Sequence, residues 1–261
     1  MELTEVVQIT FVAFFAIIVY FMSPPKEDYI AVGDYYYQTF DNDAAQKKYE
    51  LAYYESPTNY ASLLRLVRIH NDNGRIHLHK DVLSELEYKK SIVFADTLVH
   101  YYPDSAASHF WYGLAKGSLI PFVGIREKIT IGKDVKLHIQ KSLERDSTFS
   151  YSYVVLAIFE REGAQLSWIE KGIVRVVFGE NFSGSLATSE QYLKTALRYD
   201  SSNTFAYYEL FWTYKAMENK PMAVSSLQEV IKRVPNNLRE KQQQDEARKY
   251  LAELNSPSQA N

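Results

Sequence analysis

Cysteine is absent from the 261-residue chain, which removes disulfides, thiol nucleophiles, thiolate metal sites and a lipid-modified N-terminal cysteine. The redox compartment therefore cannot be read. A strong charge of either sign is also missing. The formal net charge is -3, with Lys and Arg spread along the chain, so no basic field exists to hold a phosphate backbone, and nucleic acid is set aside as a partner.

The motifs of catalysis are missing too. "GKD" at Gly132–Asp134 lacks the upstream glycine and the following Ser or Thr of a phosphate loop. "EREG" at Glu160–Gly163 spaces its carboxylates two apart, which sends them to different faces of a helix, and Gly163 more simply ends that helix. His70, His100, His109 and His138 are far apart and far from any nucleophile elbow, so they read as ordinary helix residues. "HLHKD" could turn His77, His79 and Asp81 to one side if extended, but without a fourth ligand it reads as a solvated loop. No catalysis, metal or cofactor is expected.

What is present begins with an uncharged apolar run, "VVQITFVAFFAIIVYFM" from Val6 to Met22. Its 17 residues would span about 25 Å as a helix, barely a bilayer. Glu2 and Glu5 precede it and Tyr20, Phe21 and Met22 close it, where a cleaved signal peptide would want basic residues before and small residues after. Residues 1–25 are thus expected to be an uncleaved membrane anchor with a cytoplasmic body. The alternatives are a cleaved signal, leaving a periplasmic or secreted body, and a buried terminal helix.

The rest is repetitive. Tyr29, Val32, Gly33 and Tyr36, then Ala45, Tyr49, Ala52 and Pro57, alternate large and small residues at helical spacing. Large residues three and four apart make one face of each helix, and the small ones allow two axes to approach. The order returns near the end as Tyr207, Leu210, Tyr214, Ala223, Leu227, Val230 and Pro235, with Phe211 where Gly33 stood and Val230 in place of alanine. This pattern resembles the tetratricopeptide repeat superfamily, whose unit is about 34 residues. Between the two clear copies, Leu63 and Leu66, Gly113, and Tyr153 with Leu156 and Ala157 open three more units, the last continuing at Leu193 and Ala196. Terminators at Pro57, Pro103, Ser147, Ser201 and Pro235 stand about 46, 44, 54 and 34 apart, so three units carry extra residues.

The expected fold is therefore all-α: a tetratricopeptide-like solenoid of about five helix pairs over 26–235, with an N-terminal hydrophobic helix. The resemblance implies a right-handed superhelix. A polar capping helix is expected over 236–254 and a disordered tail over 255–261. The excess falls between the two helices of units two, three and four, at "NGRIHLHKDVL", "SLIPFVGIREKI" and "AQLSWIEKGIVRVVFGENFSGS", on one edge of the solenoid.

A closer likeness lies in "VKLHIQKSLERDSTFSYSYVVLAIFEREGAQLSWIEKGIVRVVFG" followed by "SEQYLKTALRYD". A helix ends in an acidic turn, an aliphatic helix follows, Trp168 opens a helix closing on Phe178, and a Gly/Ser loop leads to Leu193 and Ala196. That order resembles the regulator of microtubule dynamics family. The resemblance implies a non-enzymatic protein linked to microtubules or organelle membranes, in some members through an N-terminal anchor. No basic patch for an acidic tubulin surface is evident.

In this superfamily ligands lie along the concave side, lined by the first helix of each unit. Helical phase puts Arg68, Phe110, Leu114, Tyr151, Val154 and Ile158 there, and further along Arg161, Phe205, Tyr208, Trp212 and Lys215. An aromatic and aliphatic surface of this kind is costly to leave bare. Trp168 and Phe178 mark the insertion edge, and that insertion helix, with Ile169, Ile173, Val176 and Val177, could fold back to fill the groove. Otherwise the groove would take a protein partner or amphipathic peptide, or a lipid, with Arg68, Arg161 and Lys215 near to meet a carboxylate or phosphate. The oligomeric state is not encoded in any visible pattern.

Overall fold

The computed structural model describes residues 27–77, 81–178 and 184–255. The apolar run Val6–Met22 and the tail 256–261 lie outside the described residues, as does His79 of the "HLHKD" stretch. Among the described residues no helix is long and apolar enough to cross a membrane.

Twelve helices follow one another among the described residues. The first unit pairs α1 (Tyr29–Gln38) with α2 (Asn42–Glu55), and the second pairs α3 (Tyr60–Ile76) with α4 (Asp81–Tyr101). The third pairs α5 (Ala106–Gly117) with α6 (Ile125–Arg145), through a 3-10 turn at Ile120–Phe122. In the fourth, α7 (Ser150–Gln165) pairs with α9 (Leu186–Tyr199), and α8 (Trp168–Phe178) stands between them in sequence. Then α10 (Thr204–Ala216) pairs with α11 (Lys220–Lys232), and α12 (Leu238–Asn255) ends the chain.

Side-chain caps fix most of the starts. Asp28, Asp41, Asn59, Ser105, Ser185, Asn203 and Asn219 each accept a backbone N–H of the first turn, satisfying donors that the helix leaves free. Pro57, Pro103, Ser147 and Ser201 each open a two-residue turn between units, so the terminators act where the spacing placed them. Close approach explains the glycines. A Cβ on Gly33 would lie 2.5 Å from the Tyr49 ring and one on Gly74 2.5 Å from the Tyr88 ring, so the first two pairs can pack this tightly only without a side chain there.

The extra residues behave differently in each unit. In the second they lengthen both helices, in the third they form the 3-10 turn and a long α6, and in the fourth they form α8. After α8 the chain returns at Gly184, whose φ of 54° favours glycine and whose Cβ would strike the backbone at the end of α7.

Apolar contacts run along the solenoid. Tyr49, Leu66 and Ile69 join units one and two; Leu63, Leu98 and Ala115 join two and three. Phe110, Ile139 and Val155 continue the core into unit four, and Val154, Leu193, Phe211 and Leu227 fill the junction of units four and five.

Two histidines read as ordinary helix residues meet inside unit three. His109 Nε2 lies 2.9 Å from the Pro103 carbonyl and must donate to it, which leaves Nδ1 to accept from His138 Nδ1 at 3.1 Å. His109 is therefore held neutral, while His138 donates through Nδ1 in either charge state. Burial pushes the His138 pKa down to about 4, against the pull of Asp134 and helped by His109, Lys141 and Lys116; burial lowers His109 as well. Since the unfolded chain takes up these protons first, stability is expected to fall as pH drops from about 6.5 to about 4. Urea unfolding at neutral and acidic pH measures this, and His138→Gln should flatten the dependence; an unchanged slope in that variant would refute the pairing.

Candidate functional site

The first helix of every unit faces a common central space. Tyr37 of α1, Arg68 and Asp72 of α3, Phe110 and Leu114 of α5, Tyr151 of α7 and Phe205 of α10 line one cavity of about 290 Å³. Its remaining wall is α12, through Arg239, Glu240 and Gln243. The last helix thus lies in the concave groove, although its polar composition reads as a solvated cap. Of the insertion helix's apolar side chains, Trp168 and Val176 do not enter that groove, being 83% and 85% exposed; those of Ile169, Ile173 and Val177 lie outside the described residues. The side chain of Phe178 lies outside the described residues.

The predicted groove residues divide by environment. Val154 is fully buried in the core between units four and five, because its phase on α7 turns it toward α9 and α10. Arg68 lies flat on the Tyr37 ring, 4.0 Å from its centroid, and reaches Asp34 at 3.6 Å. Burial pushes the Asp34 carboxyl up, but hydrogen bonds from Arg65 and Tyr49 and the two guanidinium charges outweigh it and hold the pKa below its ordinary value. Leu114, Ile158 and Phe205 line a second cavity, and Arg161, Tyr208, Trp212 and Lys215 line a third.

The second cavity, about 490 Å³, is where the three excess stretches converge. Arg75 at the end of α3, Ser118 and Ile120 of the 3-10 connection, and Leu166 and Glu170 beside α8 all border it. Its walls are aliphatic and aromatic: Ile125, Ile129, Val135, Val155 and Phe159 among them. The third cavity, about 1070 Å³, opens between α3, α7, α10 and one face of α12. Its wall includes the buried pair of Arg161 Nη1 and Glu209 Oε2 at 2.7 Å. Trp212 sits edge-on to Tyr250 at 5.2 Å, and the Lys215 ammonium lies 5.0 Å from the Trp212 ring.

Sequence reasoning missed a polar network in α3. His70, Asn71, Asp72 and Asn73 are all buried. Tyr37 donates to Asp72 at 2.7 Å, Asn42 to Asn73 at 2.9 Å and Asn71 to Ser118 at 3.0 Å. His70 Nδ1 lies 2.6 Å from Glu87; burial raises that carboxyl, yet the bonds to His70 and Lys90 bring its pKa down to about 2. The signal was there in "HNDNG", five weak helix formers in succession inside a long helix.

No cluster of His, Asp and Glu among the described residues could hold a metal ion, and nothing above pairs a nucleophile with a base. Stacked helix pairs around a partly filled groove define a tetratricopeptide-like helical-repeat protein. The chain belongs to the regulator of microtubule dynamics family: the model described as "Regulator of microtubule dynamics protein 1-3" matches residues 29–255. It is 24% identical over 233 residues to regulator of microtubule dynamics protein 1 of Mus musculus, covering 87% of this chain and 74% of that protein. It is 30% identical over 88 residues to regulator of microtubule dynamics protein 3 of Rattus norvegicus, covering 34% of this chain and 19% of that one. In fold it is similar to TTC0263, a tetratricopeptide repeat protein of Thermus thermophilus, with a TM-score of 0.58 at 16% identity, over 84% of this chain and 97% of that structure.

Proposed function

We propose that this chain is a non-enzymatic, membrane-tethered scaffold that holds a protein partner at the insertion edge, where α8 meets the apolar cavity. The carrying observation is Trp168, 83% exposed on a helix bordering that cavity. A large aromatic left in water contributes binding energy when a partner covers it, at about 25 cal/mol per Å² of apolar area. The tether is the run Val6–Met22, which places the body beside a membrane. Any role in microtubule dynamics, as the relatives' name has it, is assigned to scaffolding, since a net charge of -3 supplies no basic field toward an acidic surface.

A second reading has its own observation. The same cavity of about 490 Å³ is walled by apolar side chains, with Arg75, Lys128 and Arg239 at its border beside Glu162, Glu170 and Glu209, which suits a lipid acyl chain with a zwitterionic head. A photo-cross-linking amino acid at position 168 of the full chain, expressed in its cells, separates the two. A discrete protein adduct is expected at 168 and none at Tyr54, which is equally open to solvent on the outer helix α2. An adduct of lipid mass would favour the second reading, and equal labelling at both positions would refute both.

A further inference from the structure

The groove already contains a helix, and the manner of its holding differs along its length. The second half of α12 is anchored by packing: Ala247 is fully buried, and Tyr250, Leu251 and Leu254 pack on the core around Phe211. The first half is held by polar contacts to α3 in unit two and to unit five, where Gln244 donates to the Ile231 and Arg233 carbonyls at 2.7 Å and Arg239 lies over the Phe205 ring. Arg239 Nη1 reaches Asn71 Oδ1 and Asp72 Oδ1, both at 3.3 Å. Glu246 meets Arg75 at 3.4 Å and accepts from the Tyr208 hydroxyl. Between them Gln243 is buried, its Nε2 without an acceptor.

Positions 239, 243 and 246 are spaced four and three apart, so guanidinium, amide and carboxylate fall on one face of the helix. The groove answers the two charged groups, with the Asp72 carboxylate for the guanidinium and the Arg75 guanidinium for the carboxylate, and leaves the amide nitrogen between them unpaired. The Arg239–Asp72 pair is shielded, its side chains 16% and 2% exposed, and separates only as the helix lifts and water enters; the Arg75–Glu246 pair, partly open to water, is weak and screened by salt. The buried anchor is neither.

We propose that the first half of α12 is a releasable occupant of the concave groove, and that the groove takes in its place a partner helix presenting Arg, Gln and Glu at i, i+4 and i+7. Release separates Arg239 from Asp72 and breaks the two Gln244 bonds to the end of α11, while Ala247 to Leu254 stay docked, so the face on α3 opens without unfolding unit five. The incoming helix restores the same charge pairs. The cavity at the Trp168 edge shares Arg75 and Arg239 with this surface, but a cross-link at 168 reports on α8 and the peptide assay on the groove, so the two readings fail separately.

The test uses the full chain and, as probe, a fluorescein-labelled peptide of residues 236–255. Because the chain has no cysteine, Phe40→Cys and Lys241→Cys can be joined selectively by a short bis-maleimide; Lys241 already lies over the Phe40 ring at 5.1 Å. Arg239→Glu weakens the internal contact by setting a carboxylate against Asp72, and Arg239→Gln does so without the repulsion. Peptide binding by anisotropy should be strongest for the Arg239 variants, weaker for the unaltered chain, and weaker still, by about tenfold or more, for the tied chain. The peptide itself carrying Arg239→Glu should not bind. Equal binding by tied and untied chains, or no binding by either Arg239 variant when its helicity is intact, overturns the proposal.

Discussion

Replacing Glu209 with alanine is expected to lower stability by about 3–5 kcal/mol, the scale for stranding one member of a buried ion pair. Arg161 is 8% exposed and its Nη1 sits 2.7 Å from the Glu209 carboxylate and 3.4 Å from the Glu209 carbonyl. Glu162 also reaches this guanidinium, at 3.1 Å, but from a side chain 64% exposed. A solvated carboxylate of that kind compensates little for a lost buried one. The pair joins α7 to α10, so its loss should be felt in the packing of units four and five. Urea unfolding measures it. The double variant Arg161→Leu/Glu209→Leu should recover most of the loss, because removing both charges removes the desolvation cost along with the attraction. A loss below about 1 kcal/mol for the single variant would mean that water reaches Arg161.

The solenoid was legible in the sequence because its determinants are local. Gly33 and Ala45 are small where the second helix crosses, Asp28 and Asp41 cap where the helices begin, and Pro57 and Pro103 end units in turns. Each is read within one unit of chain. The occupant of the groove was not legible. Arg239 and Asp72 are 167 residues apart, and no periodicity connects them. Gln243 and Gln244, which are buried, look on paper like the solvated face of a cap. The insertion misled in the opposite direction: Trp168 reads as a residue seeking a core, and it faces solvent. Apolar character identifies which surfaces need covering, but whether the cover comes from the same chain depends on superhelical curvature, which two clear units and three degenerate ones do not spell out.

Phe211 shows how one position can serve two purposes in the same repeat. It stands four residues after Tyr207, as Gly33 stands four after Tyr29. In the first unit that site is empty of side chain so that Tyr49 can press against the helix axis. In the fifth the pressing helix is α12, and Phe211 fills the space itself, 1% exposed, with its ring 5.1 Å from Tyr250 and 4.9 Å from Trp212. Phe211→Ala should therefore cost about 3–5 kcal/mol, combining lost transfer energy with a cavity that neighbouring rings cannot close. It should also loosen the anchored half of α12, which distance measurements between spin labels on α12 and α3 would register as a broader distribution. Phe211→Leu should recover much of the stability, since it returns most of the volume, whereas Tyr54→Ala, on an exposed aromatic, should stay within about 0.5 kcal/mol. If Phe211→Ala behaved like Tyr54→Ala, the last helix would not be docked on the fifth unit, and the groove would have to be closed by something other than this chain.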